Sequence, residues 1–272
     1  MLEKLKSRFA FLFQFPPATF AIAVACVLVF IVQVLAQRIE FPPEYSLSKI
    51  LTYSFGFYWP LLTYGAFWQP ITYAFVHGSF WHLALNLFTL LFFGASVERI
   101  LGTRKFTALF FIASAIGGFA WAFFDMLEPE FWAAIQTFGG RLLENSASMT
   151  QGAVRSLHEH IGEFCLQQAQ HWGEAQIPGI SHNVCIGASA GVFGLVGAFA
   201  GLFPKEKLVL FLFYVIPLKL QARHVAILLM VISLVSIIID NGHVAHMAHI
   251  FGGLAGYFYA RLIRRRYIVA AD

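Results

Sequence analysis

Ser189 and His249 are the two residues on which a reaction can be built. Ser189 sits in the run Gly187-Ala188-Ser189-Ala190-Gly191 and His249 in Ala248-His249-Ile250-Phe251-Gly252. Each run lies at one end of a stretch apolar enough for a membrane, where a strongly polar side chain is a functional candidate by default. A serine hydroxyl is a weak nucleophile until a base within hydrogen-bond reach takes its proton. A histidine, titrating near 6.5 when unperturbed, accepts and returns protons at neutral pH. The expected chemistry is acyl transfer. No acid is spaced to complete a triad, since Asp240 falls in the loop before the last apolar stretch, so the expectation is a dyad. A developing oxyanion needs donors arranged around it. Ser189 opens a helix, so its own N–H and the positive end of the helix dipole face the site. His82 and Asn86, at i and i+4 on one helix face, can supply side-chain donors.

The elements that must position these groups are membrane spans. The 272 residues are 59% hydrophobic and 12% charged, with mean hydropathy +0.71. Soluble domains carry about 25% charged residues. Six stretches nearly free of charge occur, near 18–37, 80–97, 106–124, 187–203, 225–239 and 245–259, and read as spans. The first follows Lys4, Lys6 and Arg8, but its apolar run is too long for a signal-peptide core. Two further apolar stretches, 53–75 and 208–218, are broken by Pro60, Pro70 and Pro217 and read as interfacial or partly embedded loops. The expected fold is therefore all-α: a polytopic membrane protein, one domain over 1–272, with a six-transmembrane-helix bundle.

Six spans put both termini on one side. Fourteen of the 18 Lys and Arg residues fall on that side, leaving Arg38, Lys49, Arg141 and Arg155 opposite. By the positive-inside rule both termini are cytoplasmic. The net charge of +4 then reflects topology, and no basic patch interleaved with stacking aromatics points to nucleic acid. Stretches two, four and six run in the same direction, so their depths compare directly. Ser189 lies 16 residues before Lys205, His249 15 before Arg264 and His82 17 before Arg99. At 1.5 Å per residue each is roughly 20–25 Å from the inner face. Gly187 and Gly191, like Gly252 and Gly256, are small-xxx-small pairs that let helix backbones approach closely.

At these residues the chain resembles the rhomboid family of intramembrane serine proteases. GASAGVFG is similar to that family's nucleophile motif and AHIFGGLAG to its AHxxGxxxG helix. HGSFWHLALN resembles its histidine–asparagine segment, and GASVERILG the turn after its second helix. The resemblance covers most of the chain outside 126–180. It implies Ser189 as nucleophile, His249 as base, and His82 and Asn86 in the oxyanion hole. It implies a structural hydrogen bond for His77, a stacking role for Phe193 on the catalytic imidazole, and helix packing at Gly252 and Gly256. Glu98 would tie down the end of the second helix. The implied activity is cleavage of transmembrane protein substrates within or beside their membrane segment, with the bilayer as partner and no cofactor.

Three departures from the family pattern stand out. Ala190 and Gly191 follow the serine where glycine then alanine is frequent. Trp68-Gln69 replaces a common Trp-Arg pair. The segment 126–180 is an extracytoplasmic insertion between helices three and four, in which Val154, Leu157, Ile161 and Phe164 recur at helical spacing. Cys165 and Cys185 both fall on the outer side, where a disulfide between them is open, and Cys26 reads as a small buried hydrophobe.

Blander readings have their own logic. A lone GxSxG in a membrane helix is ordinarily a packing stripe, and an isolated histidine near a span end an interfacial residue. The shared depth of Ser189, His249 and the His82–Asn86 pair sets these readings aside. His243, His246 and His249 do not suit a metal, because the first and last diverge by about 120° around a helix. His158 and His160 lack an HExxH context, so no metal site is expected. A catalytically inactive rhomboid-like protein that binds transmembrane clients is the alternative. The basic residues before the first stretch and the lack of a transit-peptide pattern suggest a bacterial cytoplasmic (inner) membrane, the site opening to the extracytoplasmic side.

Overall fold

A computed structural model describes residues 16–39, 47–63, 65–125, 184–212, 216–239 and 244–269. The insertion 126–180, with Cys165, lies outside them.

All six apolar stretches are helical. The first is α1 (Pro17–Ala36), begun by proline at a position where the missing N–H costs nothing. Short helices α2 (Leu47–Phe55), α3 (Trp59–Thr63) and α4 (Gln69–Thr72) follow, with a 3-10 turn at Tyr73–Phe75. The second stretch is α5 (Phe80–Thr89), a π turn (Leu90–Gly94) and α6 (Ala95–Leu101). Then come α7 (Thr103–Asp125), α8 (Ser189–Leu202), α9 (Ala222–Ile239) and α10 (Val244–Val269). Among the described residues, Pro17–Ala36, Phe80–Leu101 and Thr103–Phe124 are each long and apolar enough to cross a membrane. Ser189–Leu202 and Ala222–Ile237 are shorter apolar helices. The fold is an all-α polytopic bundle.

Two stretches differ from the sequence expectation of loops. Over 53–75 the prolines start helices instead of breaking them: Pro60 and Pro70 each stand second in α3 and α4, where a proline's fixed φ suits the first turn. Over 208–218 the chain forms an antiparallel hairpin of β1 (Lys207–Leu212) and β2 (Ile216–Gln221). Its run of Leu, Val, Phe and Ile favours strand, and Pro217 sits near the start of β2, where an edge tolerates it.

Burial on α1 is inverted relative to a helix of a soluble bundle. On α1 the inward face carries Thr19, Ile22, Ala23, Cys26, Gln33 and Ala36, while Leu28, Ile31, Val32 and Leu35 point outward. On this helix mostly small and polar groups face the protein and large aliphatics face outward, the pattern that suits a helix beside lipid, which offers large apolar groups no penalty. α8 is the hub. From Ala190 to Gly201 every residue but Phe193 is buried, and its most extensive contact is with α10, followed by α7.

The ends of α1 and α6 are joined by one carboxylate. Glu98 Oε1 accepts from the Ala18 N–H at 2.9 Å, and Oε2 accepts from the N–H and hydroxyl of Thr19, each at 2.7 Å. Thr103 adds its hydroxyl to Oε1 at 2.9 Å. The anion thus closes orphan donors at a helix N-terminus, where the dipole also favours negative charge. Gly102, at φ 75°, makes the turn into α7, and its N–H donates to the Glu98 carbonyl at 2.8 Å.

Candidate active site

Ser189 is the first residue of α8, so its N–H lies outside the intrahelical ladder. The loop that delivers it is strapped down at three points. Cys185 and Phe57 exchange backbone hydrogen bonds at 2.9 and 3.0 Å, and the Gly187 N–H donates to the Tyr73 carbonyl at 2.9 Å. The Tyr73 hydroxyl donates to the Ser114 carbonyl at 2.6 Å, tying the same unit to α7. His77 supplies the third strap. Its Nδ1 lies 3.1 Å from the Phe75 carbonyl, which can only accept, so Nδ1 carries the hydrogen. Nε2 is then left as acceptor for the Ala188 N–H at 3.5 Å.

The structure brings Ser189 and His249 together. Ser189 Oγ lies 2.8 Å from His249 Nε2, across the contact between α8 and α10. Both residues are partly buried. Phe193, one turn after Ser189, stacks on the His249 ring with centroids 4.4 Å apart and planes within 9°. The His246 ring meets His249 edge-on at 5.9 Å.

His82 and Asn86 lie on α5, which begins at an N-cap where Ser79 Oγ accepts from the His82 N–H at 3.1 Å. The His82 ring packs edge-to-face on His77 at 5.1 Å. It also occupies the space where a Cβ on Gly187 would go. Gly187 has φ 110°, so glycine is required there twice over: by its backbone and by the imidazole against it. Asn86 is 6% exposed, and its amide donates to the His82 carbonyl at 2.9 Å.

Glycines set the distance between α8 and α10, with one correction to the spacing argument. On α10, Gly252 lies against the Ala190 carbonyl and Gly256 against that of Gly194. On α8, however, the facing glycines are Gly194, Gly197 and Gly201, packed on the Gly252 and Gly253 carbonyls and Tyr257. Gly187 precedes the helix, and Gly191 faces Phe110 and Ser114 of α7. The expected pair on α10 packs as the spacing predicts, and the one on α8 does not.

The sequence does not single out Gln33, and it marks Gln69 as a departure without showing what it does. Gln33 of α1 holds the His77 backbone by both edges: Oε1 accepts from its N–H at 3.1 Å and Nε2 donates to its carbonyl at 3.3 Å. A glutamine on the buried face of an otherwise apolar helix was the available signal. Gln69, fully buried, takes over the anchoring of the 53–58 segment: Oε1 accepts from the Tyr58 N–H at 3.1 Å and Nε2 donates to the Tyr53 carbonyl at 2.8 Å. Among the described residues no cluster of three or more His, Cys, Asp or Glu is arranged to hold a metal.

The family model of the rhomboid domain matches residues 64–266. A stretch of 76 residues is 38% identical to Rhomboid-like protease 1 of Toxoplasma gondii, covering 28% of this chain and 26% of that protein. A stretch of 140 residues is 28% identical to the mitochondrial Rhomboid protein 1 of Saccharomyces cerevisiae, covering 52% of this chain and 26% of that one. The matches thus span about a quarter of the length of these relatives. With three-quarters of its residues inside one domain match and its helices apolar enough for a bilayer, this chain is an integral membrane protein belonging to the rhomboid family.

Proposed function

We propose that the chain is an intramembrane serine endopeptidase that cleaves single-span proteins within or next to their transmembrane segment, using Ser189 and His249. The observation that carries this reading is the 2.8 Å hydrogen bond between Ser189 Oγ and His249 Nε2, made across two helices held at glycine distance. With Nδ1 protonated, Nε2 takes the Ser189 proton as Oγ attacks the scissile carbonyl. The oxyanion that forms is met by the Ser189 N–H and by side-chain donors from His82 and Asn86. His249 returns the proton to the leaving amine, then activates the water that releases the acyl group. Phe193 orients the imidazole in the role that a carboxylate fills in a triad. The cation bias of the sequence supports a site opening towards the extracytoplasmic face.

The test is reconstitution with a single-span reporter, comparing the wild type with Ser189→Ala and His249→Ala. Cleavage is expected to fall to background in both. Undiminished cleavage by either variant removes the assignment, and an intact reporter held by wild type would favour a client-binding relative without activity.

A further inference from the structure

The β1–β2 hairpin joins the end of α8 to the start of α9 and takes no part in the Ser189–His249 site. Its register sets Lys207 opposite Gln221 and Val209 opposite Lys219. Residues directly opposite share a face, so Lys207 and Lys219 are diagonal neighbours on one face, about 7–8 Å apart. Both lysines are exposed, and Val209 beside them is 44% exposed. The alternate residues point the other way: Leu208 is buried in the core and Leu220 packs against it. At these residues the sheet therefore sets Leu208 and Leu220 against the protein, and on the other face two ammonium groups around an apolar side chain, with Gln221 beside them half-buried.

More cations stand at the base of the hairpin. Lys205 and Arg223 are exposed there, against Glu206 as the single acid of the segment 204–223. The base itself is closed by the Ala222 N–H on the Glu206 carbonyl at 2.8 Å and the Arg223 N–H on the Pro204 carbonyl at 3.4 Å. These bonds fasten the end of α8 to the start of α9. Ser189 opens α8 and the hairpin follows its other end. The 14 residues between place the patch about 21 Å away along the helix, near the opposite boundary of the bilayer.

An exposed valine flanked by lysines has a natural partner at such a boundary. The apolar side chain enters the acyl region while the long lysine stems carry their charges to the phosphodiesters. Clustered cations next to a membrane segment favour anionic headgroups over zwitterionic ones. We propose that the exposed face of the hairpin, centred on Lys207, Val209 and Lys219 with Lys205 and Arg223 beside it, is a docking surface for anionic phospholipid headgroups. A lipid held there braces the joined ends of α8 and α9.

The test reads lipid selectivity and does not depend on proteolysis. Spin-labelled phosphatidylglycerol and phosphatidylcholine are compared for motional restriction by the intact chain in phosphatidylcholine vesicles. The wild type is expected to restrict phosphatidylglycerol preferentially. Lys207→Glu with Lys219→Glu is expected to lower that preference about fivefold or more, and Lys207→Arg with Lys219→Arg to keep it. Should the charge reversal not fold, Lys207→Gln and Lys219→Gln singly are each expected to lower it by a smaller factor. An unchanged preference in the charge-altered variants overturns the proposal, as does its equal loss in the arginine variant. Displacement of the labelled lipid by excess inorganic phosphate would make the site one for soluble anions and overturn it as well.

Discussion

Gly256 of α10 lies so close to the carbonyl of Gly194 in α8 that a Cβ on Gly256 would occupy the oxygen's space. Backbone, not side chain, is therefore the contact surface, and it sets how near His249 comes to Ser189 one to two turns away.

Gly256→Ala is expected to push the helices apart, lowering stability by about 1–3 kcal/mol and lengthening the Ser189–His249 contact. Gly253→Ala is the internal control. There a Cβ would meet the Met230 methyl group at 3.0 Å, the far end of a flexible side chain that can turn away. Thermal unfolding in detergent with the reporter assay should show Gly256→Ala impaired in both and Gly253→Ala near wild type. Equal tolerance of both would mean the helix spacing is not limited by backbone contact.

Glu98 accepts four hydrogen bonds from Ala18, Thr19 and Thr103. Glu98→Gln keeps the shape but turns an N–H₂ towards N–H and O–H donors. A loss of about 2–4 kcal/mol is expected, from charged-acceptor bonds and an uncapped α1. The unfolding midpoint reads this directly. Thr103→Val, removing one of the four, should cost about a third as much, near 1 kcal/mol.

Much of this arrangement was legible from residue types. Ser189 and His249 stood out because each is polar where its neighbours are not, and a common depth follows from counting residues from Ser189, His249 and His82 to Lys205, Arg264 and Arg99. That the six charge-poor stretches are helical followed from their apolar runs, whereas the apolar run over 208–218 gives strands β1 and β2. What stayed hidden depends on rotation or backbone conformation. Gly187 and Gly191 keep the i, i+4 spacing of a packing pair, yet one adopts φ 110° before the helix and the other faces α7. Spacing fixes which residues share a face, not which neighbour that face meets. The hairpin at 207–221 was hidden because its apolar run has no turn signature at its centre. Gln33 was missed, and the anchoring role of Gln69 was not legible, because their partners are backbone atoms distant in sequence.

Gln33 bonds both backbone groups of His77, whose Nε2 in turn accepts from Ala188 beside Ser189. Gln33→Leu is close in size but orphans a buried N–H and carbonyl, so a loss of about 2–4 kcal/mol is expected. Gln33→Glu keeps an acceptor for the N–H only and should fall at least as far, since its charge is buried. A wild-type midpoint for Gln33→Leu would show that the clamp contributes nothing.

Phe193 covers one face of the His249 ring at 4.4 Å. Aromatic pairs of this kind contribute about 0.5–1.5 kcal/mol beyond burial. Phe193→Leu should therefore slow turnover by about two- to tenfold, and Phe193→Tyr should retain most of it. The loss belongs in kcat if the ring orients the base. A change confined to KM would instead place Phe193 against the substrate.

Asn86 has the strongest claim to act on the developing oxyanion, and its hydrogen bonding says why. A carboxamide has two N–H hydrogens, and Asn86 uses Nδ2 to reach the His82 carbonyl at 2.9 Å. One bond of that kind fixes the side-chain orientation and leaves the second hydrogen to donate. Asn86 is also buried, so the donor acts where water competes least. Asn86→Ala is expected to slow turnover by about 10²–10³-fold with a smaller change in KM. His82→Ala should cost less, since the Asn86 donor would remain. A rate within about twofold of wild type for Asn86→Ala, in protein with an unchanged unfolding midpoint, would reduce Asn86 to helix packing and leave the oxyanion to the Ser189 N–H and His82.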